Sequence, residues 1–204
     1  MFYTFEKVNN PKVDFQVIWK QEFNNEFCDL IRNSIDENAW TDAMIGGNKD
    51  NPTGRVDKNI RSVMHQPLKI GNYKDMQDFP YCLIADRIIK ANNEIWRLDL
   101  TGFNMFLDKP NILRYKAEEQ GHYDWHFDYG KEYSNRKISF SLQLSDPSEY
   151  DGGHLEIAGI NPDEATRKKV TLIMFPSYVR HRVTPVTRGT RYCVVGWVHG
   201  PHFR

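Results

Sequence analysis

Three pairs of a histidine and a carboxylate, each two residues apart, are the first feature of the sequence that could support metal chemistry. Residues two apart on a β-strand point to the same face of the sheet, so the imidazole and the carboxylate of one pair can bind one cation. The alternative for each pair is a histidine hydrogen-bonded in or near a strand, beside a solvated carboxylate. The spacing leaves all three pairs open as candidates: His122 with Asp124, His126 with Asp128, and His154 with Glu156.

A second candidate feature lies near the C-terminal end, where Arg191 follows His181 by ten residues. Residues 187–190 read Thr-Arg-Gly-Thr, which predicts a turn. In a hairpin closed around Arg188 and Gly189, the two side chains would lie about five residues apart, or ~16 Å at the rise of a strand. This gap suits a short dicarboxylic acid that chelates a metal held by His181 and meets the guanidinium of Arg191. The alternative is a surface arginine beside a turn.

Two histidines and one carboxylate leave three adjacent coordination positions open, which is the donor set of the non-haem Fe(II) oxygenases. Closed zinc sites with four protein ligands normally include thiolates. The three cysteines of the sequence, Cys28, Cys82 and Cys193, are too widely separated to supply them. A catalytic zinc with the same ligands stays open as an alternative, although it gives Arg191 no role.

The elements that must position these residues divide into a helical half and a strand-rich half. Apolar side chains recur at three- and four-residue steps in residues 21–36 and again from Pro80 to about Trp96, which predicts two amphipathic helices. Residues 137–145 alternate apolar and polar side chains, which predicts a strand. Further short strands are predicted at residues 112–116, 154–157, 170–175, 181–186 and 191–198. This order indicates an α+β, mainly β fold in which helices pack outside a β-sandwich or barrel.

Two segments are expected to shape the entrance to a site. Residues 46–59 are rich in glycine, asparagine, proline and aspartate, which predicts a long exposed loop that could act as a lid. Residues 129–136 are expected to border the substrate entrance as well.

The composition indicates one globular domain, residues 1–204. Apolar residues make up 40% and charged residues 26% of the sequence, and 27 basic side chains balance 27 acidic ones. The balanced charge argues against nucleic acid or an anionic membrane surface as a partner. No apolar run is long enough to span a bilayer, and the first residues lack the pattern of a signal peptide. Together with the dispersed cysteines, this predicts a reducing, cytoplasmic location.

Three segments resemble one known family: YKAEEQGHYDWHFDYG at 115–130, FSLQLSDPSEYDGGHLEI at 140–157 and HRVTPVTRGTRYCVVGW at 181–197. They are similar to the Fe(II)- and 2-oxoglutarate-dependent dioxygenases of the prolyl 4-hydroxylase type, and most similar to the bacterial PKHD-type hydroxylases. The resemblance covers roughly residues 105–200. It implies a double-stranded β-helix core, the jelly roll of cupin-like proteins, supported by helices and first strands in residues 1–100.

The resemblance distinguishes among the three histidine and carboxylate pairs, because family members carry a tyrosine three residues before the metal-binding histidine. Tyr123 occupies this position relative to His126. The metal ligands that the resemblance implies are therefore His126, Asp128 and His181, and the other two pairs fall at positions that do not bind metal. By the same resemblance, Arg191 binds the distal carboxylate of 2-oxoglutarate.

The resemblance also implies residues around the cosubstrate and the substrate. Tyr115 corresponds to a tyrosine that lines the cosubstrate pocket. Tyr123, Trp197 and His199 fall on the substrate side in peptide-hydroxylating relatives. The alternatives are that Tyr123 and Trp197 are packing aromatics and that His199 only lies near the chain end.

The function implied by the resemblance is hydroxylation of a C–H bond, most directly of a peptidyl residue such as proline. Fe(II), 2-oxoglutarate and O2 are the implied cofactors and cosubstrates, ascorbate is a further candidate reductant, and succinate and CO2 are the coproducts. Asp128 favours hydroxylation over halogenation, since related halogenases carry a small residue in place of the carboxylate ligand. Two alternatives stay open: a hydroxylase of a free amino acid or small metabolite, and a non-catalytic metal-binding jelly-roll protein. The sequence does not predict an oligomeric state.

Overall fold

The computed structural model describes residues 18–46, 54–69, 79–130, 133–161 and 163–202, and two antiparallel sheets form its centre. Much of the predicted loop at 46–59 lies outside the described residues. Within the described part of the chain, no helix is both long and apolar enough to cross a membrane.

The strands and helices follow the order expected from the sequence. The strands are β1 (Ile18–Gln21), β2 (Thr41–Asp42), β3 (Arg61–Ser62), β4 (Met64–Pro67), β5 (Gly102–Phe103), β6 (Asn111–Lys116), β7 (His122–His126), β8 (Arg136–Gln143), β9 (Tyr150–Gly152), β10 (Leu155–Ile157), β11 (Thr171–Pro176), β12 (His181–Val183) and β13 (Val186–His199). The helices are α1 (Asn25–Asn33) and α2 (Phe79–Ala91), and α2 continues into a π-helical turn at Asn92–Trp96.

The strands form a larger and a smaller sheet. The larger sheet has the order β1-β11-β8-β13-β6-β4-β2, and β5 and β9 also pair with β13. The smaller sheet has the order β10-β12-β7-β3. Strands that are neighbours along the chain thus often lie in different sheets, as in a jelly roll. The predicted fold class, mainly β with helices packed outside, is confirmed.

The helices pack on the outer face of the larger sheet. Helix α1 begins where the Asn24 side chain accepts a hydrogen bond from the Phe27 amide, and it is shorter than the predicted range 21–36. Phe27 and Ile31 lie one helical turn apart and are buried together. The sheet side chains that share their core are Ile112, Ile138, Phe140, Leu142 and Val194.

Strand β8 is buried along its whole length, on both faces. Its apolar side chains face the helices, whereas the alternating polar side chains of Ser139, Ser141 and Gln143 face the space between the two sheets. The strict alternation seen in the sequence therefore separates a core from a polar cavity wall.

The predicted hairpin around Arg188 and Gly189 is wrong. Strand β13 continues through both residues, and the chain turns earlier, at residues 184–185, as it passes from the smaller to the larger sheet. Gly189 has a φ of 68°, and a Cβ on it would lie 2.0 Å from the Glu149 carbonyl oxygen. The glycine thus permits a close approach of β13 to the backbone at the start of β9, where Gly189 pairs with Tyr150.

Candidate active site

Three potential metal ligands meet at one end of the smaller sheet. His126 ends β7, His181 begins β12, and the two are direct cross-strand partners. Asp128 lies two residues beyond β7, on irregular backbone. One ligand atom from each residue lies within 4.8 Å of the others. The Asp128 carboxylate is 3.7 Å from His126 Nε2 and 3.3 Å from His181 Nε2.

Both histidines are oriented by backbone carbonyls. The Nδ1 of His126 is 2.6 Å from the carbonyl oxygen of Asp124, and the Nδ1 of His181 is 2.9 Å from that of Val179. A carbonyl only accepts hydrogen bonds, so each Nδ1 carries a proton and Nε2 is the nitrogen of each ring that can bind a metal. This is the arrangement by which proteins present a neutral imidazole to a metal.

The electrostatics of the cluster favour the protonation states that bind metal. Burial and the nearby His181 together lower the pKa of His126 to about 3. Burial opposes ionisation of Asp128, but the charge and hydrogen bond of His181 outweigh it and hold the pKa of this carboxyl below its usual range. The site therefore offers a neutral His126 imidazole and an ionised carboxylate.

The other two pairs are engaged elsewhere. Both ring nitrogens of His122 face carbonyl oxygens, those of Gln120 at 2.8 Å and Asn59 at 3.1 Å. Glu156 binds Arg182 at 2.7 Å, and His154 joins no metal-binding cluster among the described residues. The structure thus groups the three ligands that the family resemblance implies.

Arg191 faces this cluster from the opposite, larger sheet. Its side chain is only 1% exposed and it forms no ion pair with any described residue. Its Nε and Nη2 donate to Gln143 Oε1 at 3.2 and 2.9 Å, and its guanidinium lies 5.1 Å from the centre of the Tyr115 ring. The remaining nitrogen, Nη1, is buried and has no hydrogen-bond partner. A buried guanidinium with one nitrogen left without a partner fits an anionic ligand that the chain itself does not supply.

One cavity between the two sheets connects the two features. His126, Asp128 and His181 line one side of it and Arg191 the other. The donor set fits Fe(II), and the orphaned guanidinium fits the far carboxylate of 2-oxoglutarate.

The remaining predicted residues are divided between the cavity and its surroundings. Tyr115, Tyr123 and Trp197 line the cavity. The Tyr123 ring stacks on His126 with 3.5 Å between ring centres. His199 does not line the cavity but lies buried behind it, with its Nε2 2.9 Å from the Asp108 carboxylate.

Several residues of the site were not predicted from the sequence. Ser139 donates to the Asp128 carboxylate at 2.7 Å, and Gln143 holds Arg191. Both belong to the polar face of β8, and the strict alternation of apolar and polar residues in that strand is the sequence pattern that could have identified them. Arg136, which contacts the Asp128 backbone, had no signal because its partners are distant in sequence.

Comparison with known sequences matches residues 110–199 to the 2OG-Fe(II) oxygenase superfamily. A PKHD-type hydroxylase of Gloeothece citriformis is 41% identical over 95 residues, which cover 44% of this chain and 43% of that protein. A PKHD-type hydroxylase of Synechococcus sp. is 40% identical over 99 residues, covering 48% and 45%. The aligned region thus spans less than half the length of these relatives.

Solved structures share the fold over most of the chain. A prolyl-4-hydroxylase of Pseudomonas putida has a TM-score of 0.68 at 19% identity and covers 91% of this chain and 92% of its own. A prolyl hydroxylase of Trichoplax adhaerens, in complex with a hypoxia inducible factor oxygen degradation domain peptide fragment, has a TM-score of 0.67 at 16% identity and covers 93% and 84%. At these identities the similarity establishes the fold.

Fold and donor set together define a class of protein, the jelly-roll proteins with two histidines and one carboxylate around an open metal position. Within this class, residues 110–199 match the 2OG-Fe(II) oxygenase superfamily, and the predicted resemblance to prolyl 4-hydroxylases and PKHD-type hydroxylases is confirmed.

Proposed function

We propose that the protein is an Fe(II)- and 2-oxoglutarate-dependent dioxygenase that hydroxylates a C–H bond of a peptidyl residue such as proline. The observation that carries the proposal is the buried Arg191, whose Nη1 has no hydrogen-bond partner, in the same cavity as the cluster of His126, Asp128 and His181. A binding module without cosubstrate chemistry gains nothing from an unpaired buried cation, which is costly to desolvate.

The residues of the chain have separate tasks in this proposal. His126, Asp128 and His181 hold Fe(II) from one side and leave its other positions open. Arg191 binds the distal carboxylate of 2-oxoglutarate, which sets the direction in which the cosubstrate lies. When bound, the iron, 2-oxoglutarate and O2 supply the oxidation of the C–H bond, with succinate and CO2 as coproducts.

Aromatic side chains support the ligands and restrict water. The Tyr123 ring covers one face of His126, and the Phe175 ring packs edge-on against His181 with 4.7 Å between ring centres. Packing of this kind holds imidazoles at fixed angles and keeps the cavity dry around the reacting atoms. Trp197 lies on the cavity wall, and we assign it to the substrate side.

A peptidyl substrate is favoured by the structural relatives, which are prolyl hydroxylases, one of them in complex with a peptide. Hydroxylation of a free amino acid or small metabolite is the alternative on the same scaffold. The peptidyl and the small-molecule substrate are distinguished by measuring whether peptides stimulate the turnover of 2-oxoglutarate.

The test begins without oxygen. Fe(II) and 2-oxoglutarate are added anaerobically to the protein, and the visible metal-to-ligand charge-transfer band is recorded. Oxygen, ascorbate and a panel of proline-containing peptides or free amino acids follow, and succinate is measured. The proposal predicts a band that is lost in His126→Ala, and peptide-stimulated succinate.

The outcomes separate the parts of the proposal. Absence of the band in the native protein contradicts the cofactor assignment. A band with succinate stimulated only by free amino acids favours the small-molecule alternative. A band with no stimulated succinate favours a non-catalytic metal-binding protein.

A further inference from the structure

Arg136 is a nearly buried arginine that connects the candidate metal site to two other parts of the fold. Its Nε and Nη2 both donate to the Asp108 carboxylate at 2.7 Å, and its Nη1 donates to the backbone carbonyl of Asp128 at 3.4 Å. The guanidinium also packs against two rings, at 3.8 Å from the centre of Tyr133 and 3.6 Å from that of Trp197. Such contacts fix a planar guanidinium in both position and tilt.

Asp108 is itself held from two sides. His199 Nε2 lies 2.9 Å from the same carboxylate that binds Arg136, and all three side chains are at most 14% exposed. Burial opposes ionisation of Asp108, but the hydrogen bonds from His199 and Arg136 outweigh it and keep its pKa below the usual range. We call Asp108, Arg136 and His199 the Asp108 cluster.

Asp128 differs from the other two potential ligands in how its backbone is supported. His126 and His181 lie in paired strands, where ladder hydrogen bonds fix the backbone. Asp128 lies on irregular backbone, so its orientation depends on individual contacts. Its amide donates to the Ser177 carbonyl at 3.1 Å, its carboxylate accepts from Ser139, and its carbonyl accepts from Arg136.

We propose that Arg136 is a positioning residue for the metal ligand Asp128, and that Asp108 and His199 hold Arg136 in place for this task. The proposal rests on the proposed function in one respect, that Asp128 binds the metal. Groups that orient a ligand commonly change metal affinity by about 10- to 100-fold when removed. Loosening Arg136 is therefore expected to weaken iron binding as well as to destabilise the fold.

The chain offers a matched control for a purely structural effect. Arg114 is similarly buried, pairs with Glu37 at 3.0 Å and packs 4.4 Å from the centre of the Trp40 ring. It lies on the same sheet, but Arg114 alternates with Leu113, which lines the cavity, and so faces the other way. Arg136→Lys and Arg114→Lys thus each remove a buried guanidinium that binds a carboxylate and packs on an aromatic ring. Arg136 lies close to the metal site and Arg114 lies far from it.

The experiment measures the Fe(II) dissociation constant anaerobically, by competition with a chromogenic chelator, alongside thermal unfolding of the metal-free protein. Both lysine variants are expected to unfold at lower temperature. Only Arg136→Lys is expected to raise the Fe(II) dissociation constant, by about 10-fold or more. Asp108→Asn keeps the shape of the Asp108 cluster but removes the negative charge of Asp108, and it is also expected to raise the Fe(II) dissociation constant.

Each result decides the proposal. The proposal is overturned if the Fe(II) dissociation constant of Arg136→Lys stays within about twofold of the native value, as is expected for Arg114→Lys. If Arg136→Lys does not fold, the same comparison between Asp108→Asn and Arg114→Lys decides. If the native protein binds no Fe(II), the proposed function itself is wrong. If the native protein binds Fe(II) and the variants bind it equally well, only the role of Arg136 is wrong.

Discussion

Replacing Arg191 by methionine is expected to weaken 2-oxoglutarate binding by about 10- to 150-fold. The guanidinium is buried and has one unpartnered nitrogen, so its contact with a carboxylate would be charge-assisted and shielded from water. A contact of this kind contributes about 1.5–3 kcal/mol, and each ~1.4 kcal/mol is a factor of ten in affinity. Methionine retains much of the side-chain volume, so the cavity wall is expected to persist.

The assay is an anaerobic titration of 2-oxoglutarate into the Fe(II)-loaded protein, followed by the charge-transfer band. Arg188→Met is the control, because Arg188 lies on the same strand but pairs with Asp151 at the surface. Iron affinity is expected to be unchanged in both variants. An unchanged 2-oxoglutarate affinity in Arg191→Met would show that the buried guanidinium does not bind the cosubstrate.

Three further predictions concern the ligands and the fold. His126→Ala is expected to weaken Fe(II) binding by more than ~100-fold, whereas the control His122→Ala is expected to leave Fe(II) binding unchanged. Equal effects of the two variants in the chelator assay would contradict the ligand assignment. Ser139→Ala removes the hydrogen bond to the Asp128 carboxylate and is expected to raise the Fe(II) dissociation constant by about 10-fold; a native value would assign the serine a packing role. Gly196→Ala places a Cβ 2.8 Å from the ring of Phe140 in the core and is expected to destabilise the protein by about 1–3 kcal/mol in urea unfolding. An unchanged urea midpoint would show that the core side chains rearrange to accommodate the methyl group.

The helices and strands were largely predictable because their signals are local. Apolar spacing located α1 and α2, and alternation located β8. The bounds of α1 differ from the prediction, because Asn24 caps the helix inside the apolar pattern. The hairpin at 187–190 failed because a glycine needed for a close backbone approach looks the same in sequence as a glycine in a turn.

The site was predictable only as far as its residues carry a motif. The spacing of His126 and Asp128 and the distant Arg191 are visible in the sequence, although spacing alone did not separate them from similar pairs. The contacts that orient them are not visible, because they depend on the register of strands far apart in the chain. Asp108 and Arg136, for example, are 28 residues apart and meet only in the folded protein.

A crystal structure of the protein with Mn(II) and 2-oxoglutarate would show which residues bind the metal and the cosubstrate, since Mn(II) accepts the same imidazole and carboxylate donors. We expect one metal ion bound by His126, Asp128 and His181, and the distal carboxylate of 2-oxoglutarate on Arg191 Nη1. A metal ion held by other residues, or a 2-oxoglutarate carboxylate away from Arg191, would contradict this expectation.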